Sequence, residues 1–135
     1  MALSFLRLQD AEKWDVLVHS FSSYDVYYLS AYVKAFQLHG DGEPLLFYYE
    51  DENLRGIHVV MWRDIATDPH FVGQLPENTY FDFATPYGYG GWIIEGKGNH
   101  ASLYAAYQNW CHEHDIISEF LRFHPVLENH VAVQD

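Results

Sequence analysis

The ten-residue stretch Asp82-Phe83-Ala84-Thr85-Pro86-Tyr87-Gly88-Tyr89-Gly90-Gly91 limits what this chain can fold into more than any other. A β-type run from Thr79 to Phe83 leads into it, and a second, Trp92 to Ile94, leads out. Pro86 has a fixed φ and pushes Thr85 toward extended backbone. The glycines admit positive φ and let backbone or ligand come close. The pattern predicts a sheet bent or bulged here, with the hydroxyls of Tyr87 and Tyr89 held at the bend. A wide hairpin whose rings only pack satisfies the same pattern, so ligand-facing and packing roles stay open for both tyrosines.

Around this stretch the chain alternates between the two periodicities of secondary structure. Ser4 to Leu8 reads as a short edge strand. Asp10 is a candidate helix N-cap, and Trp14, Leu17, Val18 and Phe21 follow at i, i+3, i+4, i+7, one apolar helix face. Leu29, Tyr32, Val33 and Phe36 repeat that spacing, and Gly40, Gly42 and Pro44 end the second helix. Leu45 to Tyr49 and Ile57 to Trp62 are strands joined by the acidic turn Glu50–Asn53, which predicts a hairpin. Residues 64–78 carry Pro69, Gly73 and Pro76 without periodicity and read as a long loop, suited to a lid or binding segment. Leu103, Tyr107 and Trp110 mark a third helix ending near His114. The last strand, Ile116 to Phe123, alternates Ile117, Glu119, Leu121 and Phe123 with Ser118, Phe120, Arg122 and His124, and Pro125 stops it. It is expected inside the sheet with the third helix packed on it. The tail from about residue 128 offers no closing element. The expected class is α/β: a mixed, largely antiparallel sheet flanked by helices, in a single domain spanning residues 1–135.

Composition narrows the function classes. A content of 49% hydrophobic and 19% charged residues belongs to a folded domain, and 18% aromatics hints at a ring-lined groove or an interface. Seven basic against nineteen acidic residues give a formal charge of −12, which excludes nonspecific duplex DNA binding but not a local basic pocket. Cys111 is the only cysteine, so no disulfide framework exists. With no basic-then-apolar leader and no apolar run near the roughly 20 residues of a membrane span, the expected setting is cytoplasmic.

The element order, with Ala84–Gly91 (ATPYGYGG) and Ile117–Pro125 (ISEFLRFHP), resembles the GNAT-like acyltransferases of the FemAB type, described as peptidoglycan aminoacyltransferases or BioF2-like acetyltransferase domains. The likeness runs over most of residues 24–129. It implies a GNAT-like fold forming the first of two tandem halves that build one active site between them, so the chain reads as the front part of a larger protein. It also implies acyl-CoA or aminoacyl-tRNA as donor co-substrate, and an amine on a small molecule or cell-wall precursor as acceptor.

The residues themselves offer a substrate-binding set: Tyr87, Gly88, Tyr89, Gly90, Arg122 and His124. The tyrosine hydroxyls can donate to a carbonyl or phosphate oxygen. Arg122 calls for an anion, either a substrate carboxylate or phosphate or an internal acid such as Glu119 or Asp82. His124 is a candidate general base, with a satisfied structural histidine as the other reading. Asp82 and Glu119 can hold an incoming amine or an arginine, or simply be solvated. Lys34 and Arg63 read as surface charges. His112-Glu113-His114 has ligand residue types, but i and i+2 on a helix do not share a face, so no metal site is expected. Two functions fit: acyl or aminoacyl transfer onto an amine, or noncatalytic binding of an acidic or glycan-like ligand.

Overall fold

In the computed structural model, which describes residues 2–127 and 129, the two periodicities resolve into six strands and three helices. They are β1 (Leu3–Leu6), α1 (Ala11–His19), α2 (Ser30–His39), β2 (Glu43–Glu50), β3 (Leu54–Asp64), β4 (Phe81–Ala84), β5 (Ile93–Gly96), α3 (Ala101–Glu113) and β6 (Ile116–Phe120). Strand order is β1-β2-β3-β4-β6, with β5 also on β3. Every pair is antiparallel except β4 with β6. The fold is therefore mixed α/β with a mostly antiparallel sheet. Among the described residues no helix is long and apolar enough to cross a membrane. Apart from Asn129, the tail expected to lack a closing element lies outside the described residues.

Alternation along the long central strand β3 sorts the core onto two faces. Ile57, Val59 and Met61 join Trp14, Val18 and Val33 of α1 and α2 on one side. Leu54 and Val60 join Leu103 and Tyr107 of α3 on the other. The helix faces read from spacing are the buried ones, although Asp10 makes no side-chain cap because it lies in a 3-10 turn, Leu8–Asp10. The start of α2 is instead held by a tertiary contact: Asp15 of α1 accepts from the Ser30 amide at 2.9 Å and the Ser30 hydroxyl at 2.6 Å. Much of the aromatic surplus is core. Phe47 takes Tyr107 and Trp110 edge-on at 5.2 and 4.9 Å, and Phe83 at 5.7 Å.

Three expectations about the sheet are corrected. First, the runs flanking the glycine-rich stretch do not pair with each other. β4 pairs with Met61–Asp64 of β3 and β5 with Leu54–Ile57, so they lie in line along one edge of β3. Pro86 cannot donate to a ladder and Gly88 takes φ +109°, so residues 85–92 leave the sheet as an excursion and rejoin it at Ile93. Second, the last strand is the terminal strand of the order rather than an interior one, and it ends at Phe120. A register shift between Phe81 and Asp82 skips Ile117, which is exposed. Beyond it, Phe123 forms an isolated parallel bridge to Gly90. Third, the bounds of the long loop shift by one or two residues, to 65–80, because β3 runs to Asp64 and β4 starts at Phe81. Asp64 then accepts from the Ala66 amide at 3.1 Å and the Asn78 amide at 2.8 Å, closing the base of the loop.

Candidate functional site

The excursion and the segment after β6 are tied together by backbone. The Gly90 amide donates to the Arg122 carbonyl at 2.7 Å, the Thr85 amide to the Phe120 carbonyl at 3.0 Å, and the Arg122 amide to the Thr85 hydroxyl at 3.2 Å. The two segments thereby enclose a small pocket of 200 Å³ on the α1/α2 side of the sheet, with Thr85, Pro86 and Tyr87 on one wall and Phe120 and Arg122 on the other. The Arg122 guanidinium lies 5.8 Å from the ring centroids of both Tyr87 and Phe120. Neither internal acid considered for it is available. Asp82 is held in a fork by Arg63, at 2.8 and 2.7 Å, and Glu119 faces the other side of the sheet. Arg63 and Asp82 are thus ion-paired rather than plain surface charges. Asp41, also at the pocket, lies 3.1 Å from His39 Nδ1. Among the described residues Arg122 has no carboxylate partner. Tyr87 is 73% exposed, and its carbonyl accepts a hydrogen bond from the Tyr32 hydroxyl.

Tyr89 and His124 form a separate group. Their rings lie 5.4 Å apart, and each meets Tyr27, at 5.6 and 6.0 Å. His124 Nε2 is 2.8 Å from Asp25 Oδ2, while Nδ1 accepts from the Val126 and Leu127 amides, both at 3.2 Å. That assigns the proton to Nε2 and leaves no ring nitrogen for a substrate. The hydrogen bond from His124 holds the Asp25 carboxyl below its ordinary range. Asn129 accepts from the His124 amide at 2.9 Å and donates to the Gly90 carbonyl at 2.8 Å. This group fastens the segment after β6 to the excursion. The glycines serve the same packing: a Cβ on Gly88 would strike the Tyr27 ring, and one on Gly90 would come within 2.6 Å of the Thr85 methyl. Of the six residues singled out from sequence, Tyr87 and Arg122 line one pocket, Tyr89 and His124 pack elsewhere, and Gly88 and Gly90 make room for protein atoms.

A second site, on the α3 face, follows from a residue the sequence reading passed over. His58 sits fully buried in the middle of β3. Its Nε2 is 2.6 Å from Glu119 Oε2, and the Tyr107 hydroxyl donates to the same oxygen at 2.9 Å. Trp92 stacks on the His58 ring at 5.2 Å. Nδ1 of His58 and Nε1 of Trp92 are both buried without a partner among the described residues. Burial, followed by the Glu119 charge, raises the Tyr107 hydroxyl well above its ordinary range, which keeps it a donor. Burial likewise pushes the Cys111 thiol up to about 12, with the Glu119 carboxylate adding to the shift, so it is no thiolate nucleophile. Trp92, Tyr107, Cys111 and Glu119 line an open cleft of 760 Å³ between α3 and β6, with His58 buried behind them. The available signal was one polar residue, His58, inside the apolar run Ile57–Met61. Compared with known proteins, the chain matches no family model, no curated protein and no solved structure.

Proposed function

We propose that this domain serves acyl or aminoacyl transfer to an amine, with the pocket between Tyr87 and Arg122 holding the anionic part of the donor. The observation that carries the reading is a meeting of segments. The two motifs behind the family resemblance, Ala84–Gly91 and Ile117–Pro125, wall one pocket and leave in it a guanidinium with no acid partner among the described residues. The element order supports it as well: a strand, two helices, an antiparallel run, a helix, and a strand parallel to its neighbour. In such a transfer the amine attacks the acyl carbon, a C–N bond forms, the thioester or ester bond breaks, and the amine gives up a proton. The protein's part is positioning and charge stabilisation. A single guanidinium on a chain of net charge −12 suits the compact phosphates of a CoA thioester better than the extended backbone of tRNA.

The test is calorimetric titration with CoA, alongside transfer assays from acetyl-CoA and from aminoacyl-tRNA to an amine-bearing cell-wall precursor. Because Arg122 is exposed, Arg122→Ala is expected to weaken CoA binding by about threefold to tenfold, or about 1 kcal/mol, with thermal stability unchanged. Loss of folding in that variant would make the arginine structural. CoA binding without turnover from either donor would leave a noncatalytic binding module.

A further inference from the structure

The α3 face carries a carboxylate, Glu119, that no lysine or arginine among the described residues pairs with. Glu119 Oε2 accepts from His58 and Tyr107, and Oε1 has no partner among the described residues. Tyr107 keeps its proton and donates as a neutral phenol. The Glu119 side chain is only 20% exposed. Among the described residues no lysine or arginine lines the cleft; exposed His112 is at its edge, and Trp92, Tyr104 and Tyr107 supply the ring walls. A half-buried carboxylate with one oxygen free and no lysine or arginine beside it among the described residues favours a cation, and ring faces add to that preference.

We propose that the cleft between α3 and β6 is a binding site for an organic ammonium group, seated on the free oxygen of Glu119 among the rings of Trp92, Tyr104 and Tyr107. The site is on the opposite face of the sheet from the Tyr87–Arg122 pocket and stands independently of the transfer reading. The mouth is open on the side of Ser118 and Gln108, both exposed, so the rest of an alkylammonium ligand extends into solvent there.

The experiment is an NMR titration of the full chain with n-butylammonium chloride, reading the Trp92 indole N–H and the Glu119 amide, with n-butanol as the neutral control. Butylammonium is expected to shift both resonances saturably where butanol does not. Glu119→Gln should weaken binding by about tenfold, the loss of one charge-assisted contact. Gln108→Lys, which places a like charge at the mouth without touching the core, should weaken it severalfold and decides the matter if Glu119→Gln does not fold. Arg122→Ala should leave it unchanged, which separates this site from the donor pocket. No saturable shift, an equal response to butanol, or an unaltered affinity in Gln108→Lys would overturn the proposal.

Discussion

Tyr107→Phe tests whether Glu119 carries a buried charge. The substitution keeps a ring packed between Phe47, Phe83, His58 and Trp92 and removes only the hydroxyl. That hydroxyl donates to Glu119 Oε2 at 2.9 Å. A hydrogen bond to a charged group contributes about 1.5–3 kcal/mol, and one between neutral groups about 0.5–1.5 kcal/mol. With the Glu119 side chain 20% exposed, water partly replaces the lost donor, which puts the expected cost near the lower end, about 1.5 kcal/mol. At a urea slope of about 2 kcal/mol/M the midpoint should fall by about 0.7 M with the slope unchanged. Repeated in a Glu119→Gln background, the same change meets a neutral acceptor and should cost about 0.5–1 kcal/mol, leaving a coupling of up to about 1 kcal/mol in the double-mutant cycle. An equal cost in both backgrounds, or a midpoint shift below about 0.2 M, would show that the carboxylate charge is not what the phenol stabilises.

Two further outcomes follow from the excursion and its anchors. Gly88→Ala should cost at least about 2 kcal/mol, since left-handed backbone alone costs about 1–2 kcal/mol and the new Cβ strikes Tyr27; Gly40→Ala, at φ +97° with open space around it, should cost only the backbone part. Equal losses in urea denaturation would mean that Tyr27 does not pin the excursion. In acid, three carboxyls should set the decline in stability. Asp25 is held below its ordinary 3.8 by His124, and exposed Asp51 below the same value by the Tyr49 hydroxyl. Glu95 is opposed by burial but carried below 4.5 by the Ser22 hydroxyl and amide and by Arg55. Each binds its proton more weakly folded than unfolded, so their contribution is complete above those ordinary values and is lost as pH falls through the lower folded ones. A melting temperature that stays flat from pH 6 to pH 2, or a decline that Asp25→Asn leaves unaltered, would contradict this.

Local pattern determined the elements themselves. Burial of Trp14 and Val18, of Val33, and of Leu103 and Tyr107 follows from helical spacing, and the β2–β3 antiparallel pair follows from two apolar runs around an acidic turn. These features depend on neighbours a few residues apart, which sequence displays directly. The glycine-rich stretch was legible as a break in a strand. Its partners were not, because a strand displays its alternation but not which edge it joins. Tertiary structure placed β4 and β5 in line on β3 and put β6 at the end of the sheet. The same limit governs the sites. Arg122 could be read as needing an anion, but that Arg63 would take Asp82 and His58 would take Glu119 was settled by register between strands far apart in the chain. His58 and Glu119 are separated by 61 residues and meet only because β4, lying between β3 and β6, turns Phe83 and Glu119 to the α3 face. A buried charge is defined by what surrounds it, and those surroundings exist only once the sheet has assembled.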